Sequence, residues 1–115
     1  MNYVQDLKSF LSQTKLKHFF GEWKKLTNGQ TLYKLVIVLP DVYETYTSNR
    51  HIIIKSHDGT LHIDIDKKEV VFSYTTDGQP LLVVVEAKLV DWEAGYSKSD
   101  GKVVLDMHLI IRGGQ

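Results

Sequence analysis

Hydrophobic and polar positions are most informative between residues 69 and 86, the stretch Glu-Val-Val-Phe-Ser-Tyr-Thr-Thr-Asp-Gly-Gln-Pro-Leu-Leu-Val-Val-Val-Glu. Its first half alternates, with Val70, Phe72 and Tyr74 on one side and Val71, Ser73 and Thr75 on the other. Its second half, residues 81–85, is apolar at every position, which predicts a strand covered on both faces. Asp77-Gly78-Gln79-Pro80 lies between them and supplies turn chemistry. The pattern therefore predicts a β-hairpin. A hairpin alone is marginal in water, so the rest of the chain must pack around it.

Upstream, residues 3–13 set Val4, Leu7, Phe10 and Leu11 at helical spacing, and residues 15–26 do the same with Leu16, Phe19, Phe20, Trp23 and Leu26. The two stripes differ in phase, which predicts a break near residues 12–14 and a second helix stopped by Asn28-Gly29. Residues 32–39 form a nearly continuous apolar run closed by Pro40 and predict a buried strand. Residues 41–50 are polar with two tyrosines and read as a loop or irregular edge. Two strands follow at 51–56 and 60–66, joined by His57-Asp58-Gly59. In the second, Leu61, Ile63 and Ile65 face inward while His62, Asp64 and Asp66 face water. Lys67-Lys68 turns the chain into the central hairpin. Strands at 89–96 and 103–111 flank a turn at 97–101. The predicted fold is α+β and mainly β: a helical segment over residues 1–29 in one or two pieces, then a β-rich body over 30–112. That body is an antiparallel sandwich or partly open barrel of about six or seven strands. The absence of an interior helix between strands argues against βαβ architecture.

Composition changes this picture little. At 115 residues the chain makes one domain, and 43% hydrophobic with 24% charged residues is ordinary. Formal net charge is zero, which argues against a dedicated nucleic-acid binder. Residues 1–30 carry five lysines against Asp6 and Glu22, whereas residues 31–96 hold six basic and ten acidic groups. There is no cysteine, so disulfides, thiol nucleophiles and cysteine zinc sites are excluded. No apolar run is long enough for a membrane helix, and no leader pattern opens the chain, so the expected location is cytoplasmic, away from membranes.

Candidate chemistry is sparse. His62-x-Asp64-x-Asp66 places three possible ligands on one strand face, and Asp58 to Glu69 spans twelve residues like a calcium loop. Ile63 stands where such a loop needs glycine, and alternate strand positions lie too far apart to wrap one ion, so no metal is expected. His18, His51, His57 and His108 have no local nucleophile partner, and the common hydrolase, phosphate-loop and dinucleotide motifs are absent. No enzyme and no cofactor are expected. Lys15, Lys17, Lys24 and Lys25 interleave with Phe19, Phe20 and Trp23. On a helix these would be a wet face and a buried stripe, so nucleic acid is not expected.

With Phe20-x-Glu22-Trp23, Leu39-Pro40-x-Val42, Glu69-Val70-x-Phe72 and Gly78-x-Pro80 in this order and spacing, the chain resembles the stringent starvation protein B (SspB) family. These are adaptors that hand ssrA-tagged proteins to the ClpXP protease. The resemblance covers about residues 16–105 and extends to Tyr96 before the Gly101 turn. It implies a homodimer through the N-terminal helix (Leu16, Phe19, Phe20, Trp23), an ssrA-like peptide tag as ligand and the ClpX unfoldase as partner. The tag groove it implies involves Ile54, Ser56, His57, Phe72, Ser73 and Tyr74. The chain departs from the family in the bulk of Tyr74, in residues 1–14, and in ending at Arg112-Gly113-Gly114-Gln115 where the family has an acidic tail. Apart from the resemblance, Tyr43, Tyr46 and the acidic middle suit a small inhibitor or immunity-type protein that covers a partner surface.

Overall fold

The computed structural model describes residues 2–113; Met1, Gly114 and Gln115 lie outside the described residues. A single helix, α1 (Tyr3–Thr14), precedes nine strands: β1 (Lys17–Lys25), β2 (Thr31–Leu39), β3 (Val42–Thr47), β4 (His51–Ser56), β5 (Thr60–Ile65), β6 (Val70–Thr76), β7 (Gln79–Val85), β8 (Ala87–Ser97) and β9 (Lys102–Ile111). They form two antiparallel sheets, ordered β1-β2-β9-β8 and β3-β4-β5-β6-β7. The strand count exceeds the six or seven read from the pattern. The helix-then-sandwich class stands.

The central hairpin is β6–β7, with Thr76 paired to Gln79 around Asp77 and Gly78. Both turn residues have positive φ (52° and 74°), the backbone a two-residue hairpin loop needs and Asp-Gly tolerates. Val70, Phe72 and Tyr74 all point into the core. The expectation that β7 is covered on both faces is corrected. It is an edge strand, with Leu82 and Val84 exposed and Leu81 and Val83 half-buried on the side where α1 lies. Its edge position also explains why Pro80, which has no N–H to give a second neighbour, is accommodated.

The expected second helix is also overturned: residues 17–25 are strand β1. β2 carries Leu35, Ile37 and Leu39, all fully buried, and its backbone requires hydrogen-bond partners on both sides. β9 takes one side and β1 the other, paired from Lys17–Val38 to Lys25–Thr31 with a register shift between Glu22 and Lys24. Gly21 and the aromatic residues are poor helix formers, so local propensity gives way to the ladder. Phe20 turns inward and stacks on Tyr33 with ring centroids 5.6 Å apart, while Phe19 turns outward. Residues 41–50 contain edge strand β3, with a bulge between Val42 and Glu44, rather than a loop.

α1 forms because Asn2 caps it, Oδ1 accepting from the Gln5 N–H at 3.0 Å, and because Leu7, Phe10 and Leu11 share a face. That face is buried in the common core, where the Phe10 ring meets Phe72 at 6.2 Å between centroids. The helix thus covers the β7 side of the sandwich. β8 begins beside the β5–β6 turn, where the Ala87 N–H donates to the Lys68 carbonyl at 3.2 Å, and ends beside β3. It runs obliquely across the other sheet and leaves a gap between its second half and β3. No helix among the described residues is long and apolar enough to cross a membrane.

Candidate functional site

The gap between β3 and β8 is a cleft of about 280 Å³. Val42, Thr45 and Thr47 from β3 form one wall, Ala94 and Tyr96 from β8 the other, and Ile52, Ile54 and Val103 the floor. Both walls are sheet margins: β3 ends one sheet and β8 ends the other. Apart from the Val42 N–H, which donates to the Gly101 carbonyl at 2.8 Å, backbone N–H and C=O groups that point away from the single neighbour of each strand are therefore left for water or for an added strand. The floor is made by residues whose inward faces also build the core, with Ile52 and Ile54 fully buried. At the rim, Tyr43 and Tyr96 each expose more than half of their surface (59% and 58%), whereas Tyr46, paired with Ile53, lies on the outer face of the five-stranded sheet. Tyr43 is held in place by the His57 ring at 4.9 Å between centroids, and Glu44 pairs with Lys55 at 3.1 Å. Apolar floor, aromatic rim and free backbone edges together suit an extended peptide.

The six residues assigned to a tag groove do not share one surface. Ile54 reaches the floor of this cleft and His57 its rim. Ser56 is buried in the β4–β5 turn, where its hydroxyl donates to the Gly59 carbonyl at 2.8 Å and accepts the Gly59 N–H at 3.2 Å. Phe72 and Tyr74 are buried between the sheets, and Ser73 lies on the outer face of the five-stranded sheet opposite His62. Of the four residues assigned to a dimer helix, Leu16 and Phe20 pack against the core. Phe19 and Trp23 lie on the outer face of the four-stranded sheet. The cleft residues that the pattern missed are Ala94, Tyr96, Val103 and the β3 wall. The available signal was the tyrosine-rich segment around Tyr43 and Tyr46, read as a partner surface but not joined to β8.

Two titratable clusters sit on the outer sheet faces. On β4 and β5, His51 Nδ1 lies 3.0 Å from His62 Nε2, and Arg50 donates to Asp64 at 2.9 Å. This hydrogen bond from Arg50 holds the Asp64 carboxyl below its usual pKa, against the opposing effect of burial. On the other face, Trp23 stacks on His108 (6.2 Å) and covers the Lys34 ammonium (4.2 Å). His108 Nδ1 contacts an Asp91 carboxylate oxygen at 2.6 Å, and Lys34 pairs with Asp106 at 3.7 Å. Neither cluster contains a hydroxyl nucleophile bonded to its histidine. Among the described residues no group of three or more His, Asp or Glu side chains is arranged to hold a metal.

Compared with protein-family models, curated proteins and solved structures, the chain matches none.

Proposed function

We propose that this protein is a non-enzymatic peptide-binding module that takes an extended segment into the cleft between β3 and β8. The observation that carries the reading is the pairing of an apolar cleft with two sheet-margin strands as its walls, the edge of β3 being tied only at Val42. A segment laid along either edge gains ladder hydrogen bonds, and every second side chain drops towards Val42, Ile52 and Ala94. The cleft is small, so the inserted side chains are short and apolar. The sequence resemblance supplies the biological class: an ssrA-like degradation tag as occupant and a ClpX-type unfoldase as the consumer of the delivered protein, with the adaptor acting as a homodimer.

Isothermal titration with an ssrA-type peptide tests this reading. Saturable binding that is lost when Ala94→Arg fills the cleft supports it. Absence of heat at high micromolar peptide, with the fold intact, overturns the tag assignment. The exposed Tyr43 and Tyr96 favour one second reading, a module that caps a folded partner with this rim. Pulldown from native lysate separates the two: an unfoldase or tagged proteins indicate the adaptor, and a single folded partner indicates the cap.

A further inference from the structure

At the other end of β8 from the peptide cleft, five cationic side chains converge from four separate parts of the chain. Lys25 comes from the end of β1, Lys67 and Lys68 from the β5–β6 turn, Lys88 from the start of β8 and Arg112 from just beyond β9. They surround a concave basin of about 620 Å³. The chain as a whole has no net charge, so this is a local concentration rather than a general excess. Lys25, Lys67, Lys68 and Lys88 form no ion pair among the described residues. Arg112 faces Glu86 at 3.7 Å. No lining residue is acidic, but Asp66 and Glu69 flank Lys67 and Lys68 and Glu86 faces Arg112, so three carboxylates against five cations leave the basin net positive.

The rim is ordered by its own hydrogen bonds. Asn28 Oδ1 accepts the Gln30 N–H at 3.0 Å, Asn28 Nδ2 donates to Gln30 Oε1 at 2.8 Å, and the Gly29 N–H donates to the Leu26 carbonyl at 3.0 Å. Lys25 Nζ is held by Thr31 Oγ1 at 3.1 Å. Backbone bonds from Ala87 to Lys68 (3.2 Å) and from Arg112 to Glu86 (2.8 Å) tie the β5–β6 turn and the β9 end to β8. The cations are therefore carried on braced backbone.

We propose that this basin binds a small, multiply charged phosphorylated ligand, of nucleotide or sugar-phosphate size. Its volume lies in the range of small-ligand sites. An arginine fork with several lysine point charges is the usual complement of phosphate oxygens. A nucleic-acid strand fits less well. The cations ring one concavity instead of tracking a groove. The basin is independent of the peptide cleft, about 20 Å away along β8 by strand rise.

The test is amide-resolved NMR titration of the whole chain with pyrophosphate and with ATP, repeated on Lys67→Glu/Lys68→Glu and on Lys98→Glu as a distant charge control. The expected result is saturable shifts at residues 25–31, 67–68, 88 and 110–113, with affinity weakened about tenfold or more by the double substitution and little changed by K98E. The two substituted lysines lie in an exposed turn, and the wild-type shift map locates the site whether or not that variant folds well. Three outcomes overturn the proposal: no saturable shift, shifts spread over all lysines, or binding confined to oligonucleotides with affinity that grows with length.

Discussion

The ring of Tyr74 lies directly beneath Gly59: a Cβ built on Gly59 would stand 2.6 Å from both the Cζ and the hydroxyl oxygen of Tyr74. The same Cβ would lie 2.9 Å from the Thr75 carbonyl oxygen. The β4–β5 turn and β6 therefore meet with no room for a side chain. The bulk of Tyr74 fills this contact. Gly59→Ala is expected to destabilise the protein by about 1–3 kcal/mol through overpacking. A double-mutant cycle with Tyr74→Ala checks the cause: the Gly59→Ala cost should shrink when the tyrosine ring is absent, and full additivity would contradict it.

Tyr74 also predicts alkaline behaviour. Burial raises its pKa above the ordinary phenol value, the nearby Asp58 charge adds to this, and a hydrogen bond with Ser56 partly opposes it. A group whose folded pKa is raised stabilises fully below its unfolded pKa, near 10, and loses that contribution as pH rises through the folded value. Stability should therefore fall above about pH 10. Tyr74→Phe should make that decline shallower without abolishing it, since burial also raises Tyr33. Chemical denaturation at a series of pH values gives the slopes.

The acid limb has a separate origin. Asp64, held below the usual carboxylate pKa by Arg50, contributes stability above its unfolded pKa, near 4, and loses it as pH falls through its lower folded value. Arg50→Ala should flatten this limb slightly and leave neutral-pH melting almost unchanged, because the pair is largely solvated. A large loss of stability at pH 7 would contradict that reading.

Phe10 joins α1 to the sandwich through Phe72, so Phe10→Ala should cost about 3–5 kcal/mol. The end of the same helix offers a gain. Lys15 adopts the left-handed conformation (φ 61°, ψ 11°) as the residue following the last turn, which glycine accepts without strain. Lys15→Gly should stabilise by about 1 kcal/mol. Thermal or urea unfolding of the two variants measures both effects.

The cleft makes a prediction that does not depend on stability. Ala94 is exposed, so Ala94→Arg should leave melting within a few degrees of wild type while blocking the space above Ile52 and Ile54. Tyr96→Ala should weaken peptide binding by removing a rim contact, again with little effect on folding. Titration calorimetry paired with melting curves distinguishes a lost site from a lost fold.

Much of the architecture was legible in local pattern. The alternation of Val70, Phe72 and Tyr74, the Asp77-Gly78 turn, the apolar run before Pro40 and the Leu7–Phe10–Leu11 face all carry their periodicity in adjacent residues. Period and turn chemistry are local properties, so they can be read from the chain. Residues 17–25 show the limit. Phe19, Phe20 and Trp23 fit a helical stripe by spacing, yet β2 needed a second hydrogen-bonding neighbour, and that need is visible only once β2 and β9 are paired.

The candidate site was less legible for the same reason. Val42 and Ala94 become opposite walls of one cleft only because β8 crosses from the β5–β6 turn to the margin of β3. Likewise Lys25, Lys67, Lys88 and Arg112 are scattered along the chain and meet only at one end of the stacked sheets. The sequence by itself determined α1, the central hairpin and most of the other strands, where period and turn chemistry agree, but not the state of residues 17–25. The tertiary structure alone decided which strands became edges, which apolar residues stayed in water and which distant charges came together. Those outcomes depend on how two sheets stack and which backbone groups remain unpaired, and no run of neighbouring residues encodes either.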